Sequence, residues 1–372
     1  MANRRRVYLD YNATAPLRAE AREAVALALA ETGNPSSVHW YGRGARRRVE
    51  EARAQVAALL HAEAAEIIFT SGGTEANNLA LAGCARPRLL VSDIEHDSVL
   101  AAAPLAERIP VDDRGLVRLD VLEAKLAADP RLSLVSVMLA NNETGVIQPL
   151  AELAALAHAR GALVHCDAVQ AVGKISVDFA ALGVDLLSFS AHKIGGPPGI
   201  GALAIRPNLA LHPLIRGGGQ EKGRRSGTEN LPGIVGFGAA AAVASAALAN
   251  YARLAAWRDH LERGVRAIAP RAQFFGQSAP RLPNTACFTM PGVASETQVM
   301  ALDLAGVAVS AGSACSSGKV RPSHVLRAMG ADNVAAGSAI RVSLGWESQA
   351  GDVDRFLNAW ASLYARAGNR AA

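Results

Sequence analysis

Between residues 66 and 205, short apolar runs alternate with helical stretches, and this alternation restricts the chain to few architectures. Runs of β type fall at 66–70, 89–92, 132–139, 162–166, 186–190 and 201–205, with helical stretches at 74–81, 121–128 and 150–159 between several of them. A strand that is apolar along its whole length is buried on both faces. A helix between two such strands makes the crossover that a parallel pair needs. The pattern predicts an α/β fold with a mostly parallel sheet covered on both sides. Helices are expected before it, at 17–30 after Pro16 and at 41–60. The stretch 231–269 reads as helical and alanine-rich, with room for a long interdomain helix. Beyond Pro270 the texture changes to shorter strands (273–275, 285–289, 339–344) mixed with helices, ending in a helix at 348–367. A smaller α+β domain from about residue 254 is the reading.

Half of the 372 residues are hydrophobic and 19% are charged, which supplies a core larger than one typical domain needs. The net charge of +5 is small for this length. Its densest cluster, Arg43 with Arg46, Arg47 and Arg48, sits on a helical stretch beside Glu50 and Glu51. That is a solvated helix face rather than a nucleic-acid patch. Arg4, Arg5 and Arg6 lack a following apolar region, so no signal peptide is expected, and no stretch reads as a membrane span. Cys84, Cys166, Cys287 and Cys315 are far apart and form no zinc-type spacing. No metal site and no disulfide framework is expected, and the compartment reads as reducing, hence cytoplasmic.

Polar clusters stand where the strands end. Thr70-Ser71-Gly72-Gly73-Thr74, Asp93 to Ser98, Asn141-Asn142-Glu143-Thr144-Gly145, Asp167 to Gln170 and Ala191-His192-Lys193 each follow a strand. In an open α/β sheet the ligand lies at the carboxyl ends of the strands, so one rim collects all five. The turn Ser71-Gly72-Gly73-Thr74-Glu75 opens a helix and suits a phosphate, but it lacks the Gly-Lys-Ser/Thr ending of a P-loop. Lys193 follows a buried strand, where an amine is costly unless it is neutral or covalently used. An imine with an aldehyde cofactor meets that need. Pyridoxal phosphate would also require an acid facing its ring nitrogen and a phosphate cradle, and Asp167 supplies the acid. Singly, Lys193 suits a surface loop and Asp167 a helix N-cap. Together with the glycine turn they point to a cofactor.

Cys315 lies in Ser310-Ala311-Gly312-Ser313-Ala314-Cys315-Ser316-Ser317-Gly318, among small residues that do not pack a core. Alone, this segment suits an incidental loop thiol as well as a reactive one.

These motifs in this order resemble the cysteine desulfurases of the nitrogen-fixation and iron–sulfur-cluster type, within the class V aminotransferases. The resemblance spans nearly the whole chain. It includes Tyr8 to Thr14, Gly33 to Ser37 with His39, Thr70 to Asn77, Glu95-His96, Asn141 to Gly145, Asp167 to Gln170 and Ser190 to Lys193. It continues through Gly218 to Glu221, Arg225 to Asn230, the Cys315 segment and Ile340 to Gly345.

The resemblance implies a fold-type I pyridoxal-phosphate transferase. Residues 15–253 would form a large cofactor-binding domain with a mostly parallel seven-stranded sheet, and 1–14 with 254–372 a small domain carrying the Cys315 loop. It implies that Lys193 binds the cofactor aldehyde and moves the substrate Cα proton. Asp167 would face the ring nitrogen, Gln170 the phenolic oxygen, and His96 would stack on the ring and act as acid or base. Gly73, Thr74, Ser190 and His192 would hold the phosphate, joined by Thr228 of a neighbouring subunit, which implies a homodimer with shared sites. Asn142 would contact both cofactor and substrate, and Arg341 would clamp the substrate carboxylate. Without the family match, His96 suits a capping or core histidine and Arg341 a strand-edge arginine. The implied reaction takes L-cysteine to L-alanine and leaves the sulfur on Cys315 as a persulfide. From there it passes to an acceptor or iron–sulfur scaffold protein, with the persulfide as the chain's contact to a cluster. Selenocysteine is a possible minor substrate. Pro198 departs from the family's Gly-Pro-Lys-Gly, and the chain ends soon after Trp360. An aminotransferase of the same fold would use Lys193 and Asp167 but give Cys315 no task, and a cofactor-binding sulfur relay without turnover is the non-enzyme alternative.

Overall fold

In the computed structural model, which describes residues 6–312 and 322–371, the alternating segment folds as the sequence predicts. The chain enters through β1 (Val7–Tyr8). The central sheet then takes β2 (Ile67–Thr70), β3 (Arg88–Ser92), β4 (Glu107–Ile109), β5 (Ser133–Ser136), β6 (Leu163–Asp167), β7 (Leu186–Ser190) and β8 (Gly201–Ile205). Their order across the sheet is β2-β8-β7-β6-β5-β3-β4. β8 runs antiparallel to both neighbours, while β3, β4, β5, β6 and β7 pair in parallel. The carboxyl ends of β2, β3, β5, β6 and β7 therefore share one rim.

Successive residues of these strands point to opposite faces, and both faces are dry. Leu90, Val135, Val164 and Leu187 join one core cluster, which the helices Trp40–Ala58 and Leu231–Ala246 help to close. Their strand neighbours Val91, Leu134, Leu163 and Leu186 join a second cluster beneath the helix Gly73–Gly83. Each such side chain stabilises the fold by roughly 1.5–3 kcal/mol on full burial. Strand ends cannot slide without exposing a whole row, so the rim is fixed in register.

A second unit has its own core, built on Phe288, Phe356, Trp360, Leu261 and Val265. Its strands are β9 (Thr285–Thr289), β10 (Val307–Ala308), β11 (Ser310–Ala311) and β12 (Ala339–Ser343). They form an antiparallel sheet β11-β12-β9 and a parallel pair of β1 with β10. The first strand of the chain is thus held by a segment some three hundred residues later, with Val7 opposite Val307.

Several boundaries differ from the expectations, each for a local reason. The first helix begins at Ala19, because Arg18 is extended and its Nε donates to the Ile194 carbonyl at 2.9 Å. The run 132–139 is strand only over Ser133–Ser136. Beyond it Val137 and Leu139 still donate to the His165 and Asp167 carbonyls, while Met138 and Ala140 line the cavity described below. The three-residue β4 was too short to signal itself by apolar pattern. Residues 273–275 form a single bridge, Phe274 to Phe288, rather than a strand. The stretch 231–269 is three helices, Leu231–Ala246, Leu248–Ala252 and Leu254–Ile268, with a 65° bend where the chain passes from one core to the other. The last helix runs over Ala350–Ala371. Among the described residues no single helix is long and apolar enough to cross a membrane.

Candidate active site

The rim encloses a cavity of about 180 Å³ whose wall includes Gly73, Thr74, His96, Asn142, Asp167, Gln170, Ser190, His192 and Lys193. That volume falls below the roughly 300–1,000 Å³ of drug-sized pockets, which fits one small ligand rather than a dinucleotide.

At one end lies the N-terminus of the helix Gly73–Gly83. No side chain caps it among the described residues, so its first N–H groups and the positive end of its dipole are open to an anion. Glycine is needed at 73, where a Cβ would stand 2.8 Å from Val169 Cγ2, and at 201, where it would stand 2.6 Å from the Gly72 backbone. These contacts let β7, β8 and the helix start close up beneath the anion site. Glu75 accepts from Ser71 N at 2.8 Å and from Arg225 Nε at 2.9 Å. The salt bridge fastens the 225–230 loop to the first turn of the helix. Thr228 of that loop is exposed and does not line this chain's own cavity.

Asp167, at the end of β6, is held rigidly. Its Oδ1 accepts from Val169 N at 2.9 Å and its Oδ2 from Asn77 Nδ2 at 2.8 Å. Asn77 also donates to Ser98 Oγ, while its Oδ1 is buried with no hydrogen-bond partner among the described residues. An orphaned acceptor beside an oriented carboxylate suits a site that takes a polar ligand. His96 combines the two roles the sequence left open. It caps the helix Asp97–Leu100, with Nδ1 accepting from Ser98 N at 3.1 Å, and it lines the cavity. With Nδ1 an acceptor, the neutral ring carries its proton on Nε2.

Lys193 lies in the turn Ala191–Lys193 directly after β7. Its Nζ donates to the carbonyls of Asn12 at 2.5 Å and Ala13 at 2.7 Å. Burial pushes this amine down to about 8, and the Arg341 guanidinium adds to the effect. Burial, then Lys193 and Lys174, push the neighbouring His192 down to about 4, so it meets an anion as a neutral hydrogen-bonding ring. Only a neutral amine attacks a carbonyl. Aldehyde capture by the apo-protein is therefore expected to accelerate about tenfold per pH unit up to pH ~8 and then level off. Stopped-flow mixing with pyridoxal phosphate across pH 6–10 measures this, and a flat profile would contradict it.

Arg341, on β12, is buried, and Nη1 donates to the Asn142 carbonyl at 3.0 Å. Its Nη2 pairs with Asp10 Oδ1 at 2.7 Å and its Nε has no partner among the described residues. It stands behind Asn142 rather than in the cavity wall, and the second unit brings it there. Cys315 lies outside the described residues.

Three further groups support the site: Asn77 lines the cavity, and Asn12 and Lys174 lie behind its wall. Asn77 and Asn12 stand inside the motifs 70–77 and 8–14, where the sequence assigns them no chemistry, and Lys174 stands outside every motif. Asn12 is fully buried, donating from Nδ2 to Asn142 O and Thr285 Oγ1 and accepting at Oδ1 from Lys174 Nζ at 2.6 Å. Lys174 could have been found as a lone cation four residues after Gln170 in an otherwise apolar stretch.

The donor set fits pyridoxal phosphate. It offers an open helix N-terminus for a phosphate, a fixed carboxylate for a ring nitrogen and a depressed amine for an aldehyde.

A family profile described as aminotransferase class-V matches residues 7–356. A protein named cysteine desulfurase from Cereibacter sphaeroides is 48% identical over 367 residues, covering 95% of this chain and 94% of the relative. An IscS-like cysteine desulfurase of Mycobacterium tuberculosis is 42% identical over 97% of this chain and 96% of its own length. Among solved structures, a NifS-like protein from Rickettsia africae superposes with a TM-score of 0.90 at 36% identity, covering 97% of this chain and 99% of that one.

Proposed function

Since the chain belongs to the class-V aminotransferase family, with relatives named cysteine desulfurase over nearly its full length, we propose that it is a pyridoxal-phosphate-dependent cysteine desulfurase. It converts L-cysteine to L-alanine and passes the sulfur to an acceptor. The observation that carries the reading is the cavity in which a depressed Lys193 amine, the anchored Asp167 and an uncapped helix N-terminus converge.

In this reading Gly73, Thr74, Ser190 and His192 hold the phosphate, Asp167 the ring nitrogen, Gln170 the phenolic oxygen and His96 the ring face. When bound, the cofactor supplies an electron sink that acidifies the substrate Cα–H and loosens its Cβ–S bond. The chain's own groups do the rest. Lys193 Nζ would hold the cofactor through its aldehyde and would carry the proton from the substrate Cα. Asp167, held by Asn77 and Val169, keeps the ring nitrogen protonated. Asn142 and Arg341 receive the substrate carboxylate, and Arg341 retains three of its five N–H groups for that purpose. His96 presents Nε2–H to the leaving sulfur. The Cys315 thiolate attacks that sulfur, forming an S–S bond as the C–S electron pair returns to the substrate carbon. The three carbons leave as alanine after protonation.

Support for Cys315 comes from its flanks. A Cβ at Gly312 would touch Glu143 Oε2, and Ser323 Oγ donates to the same oxygen at 2.6 Å. Glu143 adjoins Asn142 of the cavity wall.

We assign residues 15–253 to the cofactor domain, and 1–14 with 254–372 to the smaller one; the seven-stranded sheet lies within the first and the core of Phe288, Phe356 and Trp360 within the second, while Val325, Leu326 and Met329 pack onto the first core. A homodimer is part of the proposal, with Thr228 and its exposed loop reaching the partner's phosphate site. The three described cysteines are free, which suits the cytoplasm. The acceptor is a scaffold or relay protein with a thiol.

Incubating the holoenzyme with L-cysteine and reductant tests the activity. Equimolar sulfide and alanine are expected. 3-Mercaptopyruvate formed with an amino acceptor would indicate an aminotransferase, and a stable cofactor band without turnover a relay.

A further inference from the structure

Lys174 is a buried lysine with no acidic partner within salt-bridge distance among the described residues. Its Nζ has two contacts, Asn12 Oδ1 at 2.6 Å and Gln170 Oε1 at 2.7 Å. Both are acceptors, so the amine acts as a donor to each whether it is charged or neutral. The other atom of the Gln170 amide, Nε2, donates to the Asn12 carbonyl at 2.9 Å. A backbone carbonyl can only accept and this lysine only donates here, so the two contacts fix which way the amide faces. One N–H of Gln170 is then spent on Asn12. The second is the one donor of that amide left for a ligand in the cavity it lines.

Lys174 also braces the floor under Lys193. The Asn12 carbonyl that accepts from Gln170 accepts from Lys193 Nζ as well, so one residue ties the two functional side chains together. Asn12 in turn is gripped by Lys174, Asn284 and Thr285.

We propose that Lys174 is a positioning residue that orients the Gln170 amide so that its N–H, not its carbonyl, meets the cofactor's phenolic oxygen. The proposal rests on the cofactor reading above. A reversed amide would set an acceptor oxygen against an oxygen that carries negative charge, a repulsive contact in place of a hydrogen bond. Lys193 and Arg341 are the cations acting on Lys174, while Asp10 and Asp167 act on Lys193 from the opposite sense. Burial pushes the Lys174 amine down strongly, which agrees with a donor role that needs no charge.

The test is a pH titration of the visible band of the bound cofactor in wild type, Lys174→Met and Lys174→Gln. Stabilising the phenolic anion lowers the pH midpoint of that band. Lys174→Met removes the donor, and a rise of about one unit is expected. Lys174→Gln keeps an N–H for Gln170 Oε1, and a midpoint within about 0.3 units of wild type is expected. An unmoved midpoint in Lys174→Met overturns the proposal. An equal rise in both variants also overturns it, because the amine would then act as a charge and not as a donor. Thermal unfolding of the apo-proteins identifies any variant that has not folded. If Lys174→Met has not, Gln170→Met decides: as the sole relay it must raise the midpoint, and no change refutes the idea. A wild type without any visible band would sink the cofactor reading itself, a failure separate from these.

Discussion

Lys193→Ala is expected to purify without the absorbance near roughly 400 nm that marks a cofactor bound through an amine. It should release pyridoxal phosphate on gel filtration. Turnover of L-cysteine should fall by about 10⁴-fold or more, the scale seen when a covalent group is removed from an active site. The reason lies in the cavity wall, where Lys193 is the amine that opens onto the ligand space. Lys174 is close but committed, with its Nζ directed to Asn12 and Gln170. The fold should survive, because the Lys193 amine contacts only two carbonyls of one turn and closes no core. A variant that kept a wild-type band would place the covalent bond on another lysine.

Cys315→Ala is expected to give the opposite dissociation of properties. The cofactor band and its response to L-cysteine should persist, while sulfide release under reductant falls by about 10³-fold or more. No described thiol can take over. Burial pushes Cys84 up to about 11, which leaves about one thiolate in ten thousand at pH 7. Cys166 and Cys287 lie inside strands, and burial raises both still further. A thiol so held is inert as a nucleophile. Sulfide release continuing at the wild-type rate would remove Cys315 from the mechanism.

The sheet was legible because its strands are apolar on both faces and end in polar clusters, a pattern that needs no tertiary information. What escaped were features set by packing rather than by period. β4 is three residues long, and the break at Ala247 occurs inside a uniformly helix-forming stretch. The residues that touch a ligand were legible for a similar reason, since Asp167, His96 and Lys193 are polar groups at strand ends, where polarity is unexpected. The residues that hold those groups were not. Asn77 sits on a helix and looks like any surface amide until Asp167 is seen beside it. Lys174 reads as a solvated lysine until the second unit and the N-terminal segment close over it. Arg341 was placed in direct contact with substrate by resemblance. What resemblance did not convey is how it is held there: Nη1 donates to the Asn142 carbonyl and Nη2 pairs with Asp10.

The pairing of β1 with β10 has a consequence for how this protein is made. Asn12, on which both Lys193 and Gln170 lean, donates its own backbone N–H to Ser343, 331 positions away. At a synthesis rate of about 5–20 residues per second, those partners emerge roughly 15–65 s apart. For that interval the large sheet and its helix N-terminus can form, yet the floor beneath Lys193 is missing. A nascent chain would hold the phosphate cradle before it could fix the amine. Competence to capture the cofactor would then arrive last, with the final strand, and would act as a check that the whole chain has been completed.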